Sequence, residues 1–339
     1  MDYGGVPLWI NRILGEPSVL SIQGRMDRAW FRANNPQACP QQCDCPIQWP
    51  TALYCDHRGL ADIPDHLPGR IQYLFLQGNN ISSLSSPSLA NITGLRWLIL
   101  DHNQLESDTM DQAVLQNQTE LHYFFANHNN LRTVPSALPA GLKQLRLAHN
   151  QISSISAETF QKMQNLTLLL LQGNRLQTIT EGDLKGLISL NLLDLSENLF
   201  SSIPRHLPLS VQQLYLSNNS LSGLDGDSFA GYLQLKYLRL SHCGLKSINP
   251  QVFNVSSLVE LDLSYNKLTT IPTVHTSLQY LYLEANEIEG FNTTSFCREV
   301  GPVSYSRMKI LRLDGNKMTY QQLPQDWVFC LRVLQSIYI

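Results

Sequence analysis

The sequence predicts a leucine-rich-repeat solenoid, with a curved parallel β-sheet on its concave side, extended or 3-10 segments on its convex side, and a disulfide-bonded cap at each end. The first observation is the pattern L-x-x-L-x-L-x-x-N-x-L, which recurs along most of the 339 residues. The second is the regular spacing, between 20 and 30 residues, of the position that carries Asn or Cys. That position is occupied by Asn79, Asn103, Asn129, Asn150, Asn174, Asn198, Asn219, Cys243, Asn266, Asn286 and Asn316. The third is the clustering of cysteines near both ends.

The repeat has a physical explanation. The x-L-x-L segment reads as a short strand with inward leucines, and one coil cannot bury its leucines without neighbours. The Asn is expected to turn its amide inward and satisfy backbone groups where the chain leaves the strand. Repeats this short leave room for extended or 3-10 segments and rarely for a full helix. Cys243 takes the Asn position, so we favour a structural role over the alternative of a reactive thiol.

The cysteines and glycosylation sequons indicate the secretory pathway. Four cysteines lie within residues 39–55 and two lie near the far end, which favours disulfide caps in an oxidising compartment. A zinc site in the first cluster is the weaker alternative because its spacing matches no common pattern. Of seven Asn-x-Ser/Thr sequons, we expect glycans at Asn91, Asn117, Asn165, Asn254 and Asn292. Asn80 and Asn218 are adjacent to the recurring Asn positions, where a glycan would crowd the neighbouring coil. We therefore expect these two sequons to be poorly glycosylated.

Several classes of function are not supported. The net charge of −3 does not indicate the excess of positive charge that nucleic-acid binding requires. No apolar run is long enough for a membrane span. No catalytic motif is present, so we expect no enzyme activity and no cofactor or metal. His102, His128 and His149 form a row in three repeats, which we interpret as solvated turn residues and not as metal ligands. Residues 1–38 lack a signal-peptide pattern. This suggests that the chain is a mature or engineered form, or that its true N-terminus is missing.

The outward strand positions are the candidate binding surface. Their first third is aromatic, as in Tyr73, Trp97 and Tyr123, and exposed apolar area of this kind marks an interaction surface. The alternatives are burial by the N-terminal extension and a homodimer through the concave face. The later repeats mix aromatic and charged side chains, including Glu284 and Arg312.

Residues 39–339 resemble the class II small leucine-rich proteoglycans. The resemblance is carried by the spacing of Cys39, Cys43, Cys45 and Cys55 and by several segments. These are LILDHN at 98–103, FNVSSLVELDLSYNKL at 253–268, GPVSYS at 301–306 and LRLDGN at 311–316. The resemblance implies disulfides Cys39–Cys45, Cys43–Cys55 and Cys297–Cys330, with Cys243 reduced. It also implies an N-terminal cysteine cap at 39–60, repeats at 61–291, and an extended "ear" repeat with its cap at 292–339. We expect residues 1–38 to form a flexible N-terminal extension.

The family resemblance further implies a secreted extracellular-matrix proteoglycan that carries N-linked keratan sulfate, binds fibrillar collagen and limits fibril diameter. Glycosylation in the family corresponds to Asn91, Asn165 and Asn254. The expected collagen contacts are Asp194, Tyr215, Tyr237, Arg239, Glu260, Asp262 and Tyr282, with Asp194, Glu260 and Asp262 as the charge partners. The family's tyrosine-rich acidic tail has no counterpart in residues 1–38. The alternatives are a ligand-binding ectodomain fragment of a leucine-rich-repeat receptor and an intracellular repeat inhibitor.

Overall fold

The computed structural model describes residues 39–46, 49–84, 87–299, 301 and 304–339. The chain forms two compact units, Met1–Asn130 with Ala137–Leu142, and Leu131–Ser136 with Lys143–Ile339. The boundary between them falls inside the predicted array of repeats. The extension predicted for residues 1–38 lies outside the described residues.

The first unit contains four parallel strands in sequence order. They are β1 (Ala52–Tyr54), β2 (Tyr73–Phe75), β3 (Trp97–Ile99) and β4 (Tyr123–Phe125). An antiparallel bridge between Asp44 and Tyr54 joins the cysteine cap to β1. The connections contain 3-10 turns at Pro87–Asn91 and Ser107–Thr109 and one short helix, α1 (Gln112–Gln116). This helix lies in the spacing of 26 residues between Asn103 and Asn129, which leaves room for it.

The second unit continues the pattern with nine parallel strands. They are β5 (Gln144–Arg146), β6 (Leu168–Leu170), β7 (Leu192–Asp194), β8 (Gln213–Tyr215), β9 (Tyr237–Arg239), β10 (Glu260–Asp262), β11 (Tyr280–Tyr282), β12 (Ile310–Arg312) and β13 (Ser336–Tyr338). Its 3-10 turns are Thr293–Ser295 and Tyr320–Gln322, and its short helix is α2 (Trp327–Cys330). The predicted solenoid fold, with a parallel sheet and mainly non-helical connections, is confirmed.

The core follows from the alternation of side chains along each strand. The central residue of a strand points inward, and Leu74, Leu98, Leu145 and Leu261 are all fully buried. Burying one such side chain contributes about 1.5–3 kcal/mol, so each coil adds its stability by covering its neighbours.

The recurring Asn residues, which we call the Asn ladder, form hydrogen bonds with backbone groups that lie between coils. The Nδ2 of Asn174 donates to the carbonyls of Leu147, at 2.9 Å, and Leu171, at 3.0 Å, while its Oδ1 accepts from the N–H of Ile152 at 2.9 Å. At the same position the thiol of Cys243 lies 3.3 Å from the carbonyl oxygen of Leu216. Burial raises the pKa of this thiol to about 11, which disfavours the reactive alternative.

Disulfide caps close both ends, as predicted. Cys39 is bonded to Cys45, Cys43 to Cys55 and Cys297 to Cys330, and Cys243 is free and buried. These are the pairs that the family resemblance implies. Each cap also supplies a strand, β1 or β13, that the repeat pattern alone did not indicate.

Candidate functional site

The outward strand face of the first unit is an aromatic cluster that is mostly buried, with Tyr73 and Tyr123 half-buried at its edge. Trp97 and Tyr123 have ring centroids 4.6 Å apart, and Tyr54 stacks on Phe75 at 4.6 Å. The outward side chains Tyr54, Phe75, Trp97, Ile99 and Phe125 are at most 6% exposed. Burial, aided by the charge of Asp56, raises the pKa of Tyr54 to about 12. The expectation of an exposed docking surface is therefore wrong for Trp97, whereas Tyr73 and Tyr123 are half-buried and keep part of their surface accessible.

The solvent exposure of the outward strand face in the second unit increases from β5 to β12. From β5 to β7 its outward side chains are 8% exposed or less, and they are Gln144, Arg146, Leu168, Leu170, Leu192 and Asp194. From β9 to β12 the corresponding side chains are half-buried. This second part is accessible to a partner, as are Gln213 on β8 and the outward residues Ser336 and Tyr338 on β13.

Two of the predicted collagen contacts, on β7 and β8, are buried, and this is a correction. Asp194, expected to be an exposed charge partner, is 3% exposed, and its Oδ1 accepts the N–H of Ser196 at 3.0 Å. Tyr215 is also 3% exposed, and its hydroxyl is hydrogen-bonded to Gln213 Oε1 at 2.9 Å. The reason is local packing, because Asp194 lies in register between Leu170 on β6 and Tyr215 on β8.

Burial has an electrostatic consequence for Asp194. Loss of solvation raises the pKa of its carboxyl group from 3.8 to about 6, although hydrogen bonds from Ser196 oppose the shift. The side chain therefore acts on the stability of the fold and is not available for direct contact with a partner.

The open part, which we call the charged strand face, contains the other five predicted contacts. It consists of Tyr237, Arg239, Glu260, Asp262, Tyr280, Tyr282, Glu284, Ile310, Arg312 and Asp314, all half-buried. Strands β9–β12 bring these residues together because each strand pairs in register with the next.

Both arginines of the charged strand face are held in place. The guanidinium group of Arg239 lies 3.3 Å from the Glu260 carboxylate and 4.7 Å from the centroid of the Tyr215 ring. Arg312 makes two bonds of 2.8 Å to Asp314, which hold the pKa of that carboxyl group below its usual value. These charges are thus neutralised by neighbours within the face.

Asp262 and Glu284 remain as the uncompensated acids. The face has two arginines against four acids, Glu260, Asp262, Glu284 and Asp314, which leaves a charge of −2. Asp262 accepts hydrogen bonds from the N–H and hydroxyl of Ser264, at 2.9 and 2.6 Å. The Oε2 of Glu284 is buried without a hydrogen-bond partner, and loss of solvation raises the pKa of this carboxyl group. Glu284 was not among the predicted charge partners, since the pattern does not show which acids are already paired.

The sequon asparagines all lie at the surface. Asn91, Asn117, Asn165, Asn254 and Asn292 are exposed, and Asn80 and Asn218 are exposed as well. The crowding that we expected at the last two is therefore not evident from burial. At Asn292 the side-chain oxygen accepts the N–H and hydroxyl of Thr294, at 3.0 and 2.7 Å.

His102 and His128 are exposed turn residues, as the sequence predicts. The rings of His102 and His128 stack with centroids 4.2 Å apart, and both residues have a left-handed backbone, with φ of 55° and 54°. Within the described ranges, no group of three or more His, Cys, Asp or Glu side chains could hold a metal ion. Nor does any described helix have the length and apolar character needed to cross a bilayer.

Comparisons with known proteins agree with this architecture. The Leucine rich repeat family model matches residues 140–200 and 233–288, the Leucine rich repeat N-terminal domain matches 38–68, and a second Leucine Rich Repeat model matches 70–92 and 210–232.

The relatives are similar over most of their length. Lumican of Mus musculus is 45% identical over 302 residues, covering 88% of both chains. Lumican of Bos taurus is 43% identical over 343 residues, covering 99% of both. Fibromodulin of Bos taurus is 42% identical over 306 residues, covering 90% of this chain and 81% of its own.

Solved structures show the same fold. A chain in an octameric complex of Latrophilin 3, Unc5D and FLRT2 aligns with a TM-score of 0.70 and 25% identity, covering 88% of this chain and 83% of that one. An internalin from Listeria monocytogenes aligns with a TM-score of 0.65 and 22% identity, covering 85% of this chain and 79% of its own.

Proposed function

Since the chain belongs to the class II small leucine-rich proteoglycans, we propose that it is a secreted extracellular-matrix proteoglycan that binds fibrillar collagen and limits the lateral growth of fibrils. It acts by binding and not by catalysis. Its N-linked sugars, including keratan sulfate, would be carried by sequons such as Asn91, Asn165 and Asn254. The relatives reported above are lumicans and fibromodulins, so the receptor-ectodomain alternative is not favoured.

The proposed organisation follows the family. Residues 39–60 form the N-terminal cap, 61–291 the repeats, and 292–339 the ear repeat and its cap, with 1–38 as an extension. The Cys297–Cys330 disulfide supports the last of these divisions, because it ties the long penultimate repeat to the C-terminal coil.

The single observation that carries the collagen proposal is the charged strand face. Collagen is a long rod with solvated backbone, exposed prolines and regularly spaced charged side chains. Tyrosine rings such as Tyr237 and Tyr282 suit proline rings, and Asp262 and Glu284 suit lysine or arginine side chains. The arginines are already paired, so the acids are the better charge partners for collagen.

The double variant Asp262→Asn, Glu284→Gln tests this binding mode, because it removes both proposed charge partners for collagen. Each contact at a partly solvated site contributes about 1 kcal/mol or less, so the loss of both should weaken collagen binding about tenfold. The matched control is Glu287→Gln with Glu289→Gln, which removes the same charge from exposed acids that pair with Lys317. Asp194 is excluded from this test because it is buried.

The experiment follows turbidity during collagen assembly and fibril diameter by electron microscopy, at equal protein concentrations. We expect the wild type and the control to slow assembly and narrow the fibrils, and the face variant to lose most of this effect. If the wild type changes neither quantity, the collagen proposal fails. If the face variant acts as strongly as the wild type, the assignment to this face fails.

A homodimer through the strand face stays a separate prediction. Such a dimer would cover the charged strand face and compete with collagen. Sedimentation velocity across a concentration series tests it, since a dimer should appear in the wild type and weaken when Tyr237 and Tyr282 are replaced by serine.

A further inference from the structure

A narrow groove on the convex side of the second unit contains both an exposed leucine and a glycosylation sequon. The groove has a volume of about 300 Å³. One wall is formed by the turn that contains Phe229, Tyr232 and Leu233, and the other by the turn of the next repeat, which contains Val252 and Asn254. Asn254 is exposed and begins the sequon Asn-Val-Ser.

Leu233 is unusual among the apolar side chains. It is 81% exposed, more than any other large hydrophobic residue among those described. Ile188 and Leu209 hold the same repeat position in the two preceding coils, each two residues before the first core residue of the strand, and they are 62% and 63% exposed. Neither of them lines the groove beside Asn254. Leu233 therefore has a neighbour, the sequon, that its two equivalents do not have.

The groove has the chemistry of a small sugar site. The first sugar of an N-linked glycan is N-acetylglucosamine, whose ring has an apolar face and an acetamido methyl group as well as polar groups. Leu233 supplies the exposed apolar surface above the buried side chains of Phe229 and Val252, while Gln251 and Ser256 are exposed polar side chains on the wall that holds Asn254. A volume at the lower end of the range of about 300–1,000 Å³ for small-molecule sites suits one or two sugar rings.

We propose that the first N-acetylglucosamine of a glycan on Asn254 lies in this groove and covers Leu233. This inference rests on the proposed glycosylation of Asn254. Covering the leucine removes apolar surface from water, so the glycan stabilises the fold locally in addition to solvating the surface. The sugar also contacts both turns and so links two adjacent coils.

A larger cleft on the other side of Asn254 is the competing location. It has a volume of about 950 Å³ and includes Thr273, Thr294 and Tyr305. We favour the smaller groove because its size matches one or two sugars and because it contains the more exposed apolar side chain, Leu233, against 36% exposure for Tyr305.

A double-mutant cycle on the secreted protein tests the proposal. The variants are Asn254→Gln, Leu233→Ser and the combination, with Leu209→Ser as the matched control at the equivalent position. Thermal unfolding is measured for each, and glycopeptide mass spectrometry gives the occupancy of Asn254. A second arm trims the glycans to a single N-acetylglucosamine.

We expect Asn254→Gln and Leu233→Ser each to lower Tm by about 1–3 °C, and the combination to lower it no further. Trimming to one sugar should leave Tm unchanged, while Leu209→Ser should have little effect in either background. In the trimmed protein, a nuclear Overhauser contact should connect the acetamido methyl group to the Leu233 methyl groups.

Additive effects of Leu233→Ser and Asn254→Gln would overturn the proposal, as would a contact to Tyr305 in place of Leu233. If Asn254 carries no glycan, this inference and the glycosylation of Asn254 both fail. If Asn254 is occupied and the two effects are additive, only this inference fails. The collagen assay uses different residues, so its result is independent.

Discussion

Replacing Asp194 by Asn should stabilise the protein at neutral pH, which is unusual for a change at a buried polar side chain. The carboxyl group is 3% exposed, and burial raises its pKa from 3.8 to about 6. Between these two values the unfolded chain has released its proton while the folded chain still holds it. The folded state therefore loses stability as the pH rises from about 4 to about 6, and the loss is complete at pH 7.4.

The magnitude follows from the shift of about two pKa units. Each unit corresponds to 1.36 kcal/mol, so ionised Asp194 costs the folded state about 3 kcal/mol at pH 7.4. The Asn side chain is similar in size and carries no charge, and its oxygen can still accept the N–H of Ser196. We expect Asp194→Asn to raise the free energy of unfolding by about 2–3 kcal/mol at pH 7.4 and by little at pH 4.

Urea unfolding with the disulfides intact, repeated from pH 4 to pH 8, measures this effect. The control is Asp227→Asn, which removes the same charge from an exposed position in the same unit and should change stability by less than about 0.5 kcal/mol at every pH. A stability difference for Asp194→Asn that is negative at pH 7.4, or that does not change between pH 4 and pH 7.4, would refute the reasoning.

Two further predictions concern the ladder and the C-terminal cap. Asn174→Ala leaves the N–H of Ile152 without its side-chain acceptor, and the carbonyls of Leu147 and Leu171 each lose one of two Asn donors. One orphaned donor and two lost hydrogen bonds should lower the free energy of unfolding by about 3–5 kcal/mol in urea, whereas Gln164→Ala at the surface should change it little. Replacing Cys297 and Cys330 together by serine opens a loop of 33 residues and should cost about 3–4 kcal/mol on chain-entropy grounds, measured in the same way. A loss below about 1 kcal/mol in either case would contradict the role assigned to that feature.

Much of the fold could be predicted because the repeat chemistry is the same in every coil. A leucine at the centre of a three-residue strand has no other place to be buried, and an inward Asn satisfies backbone groups that have no ladder partner. Strands β1 and β13 were harder to predict. Ala52–Tyr54 has Pro50 and Cys55 in place of the flanking leucines, and Ser336–Tyr338 has isoleucine at its centre and at the following repeat position. Both become strands by pairing with β2 and β12.

Accessibility of the site could not be predicted, as Asp194 and Asp262 show. Both follow a central leucine and precede Leu-Ser, so the repeat pattern treats them as equivalent. Asp194 lies between Leu170 and Tyr215 and is buried, whereas Asp262 lies between Arg239 and Tyr282 and is half-buried. The difference depends on residues in the neighbouring coils, 20 or more positions away in sequence. Periodicity gives the direction of a side chain, and packing across coils gives its exposure.

The same packing determines how the charged strand face can recognise a rod-shaped partner. Arg239 is fixed between Glu260 and the ring of Tyr215, and Arg312 between Asp314 and the ring of Tyr338. Side chains that are already ordered lose less conformational entropy when a partner binds, so contacts to them contribute more of their interaction energy. Because these arginines are neutralised within the face, the long-range attraction comes from the charge of −2 that Asp262 and Glu284 leave uncompensated. On the proposed function, these two acids would select basic stretches of collagen, and the fixed aromatic and arginine side chains on either side would define where along the face the rod lies.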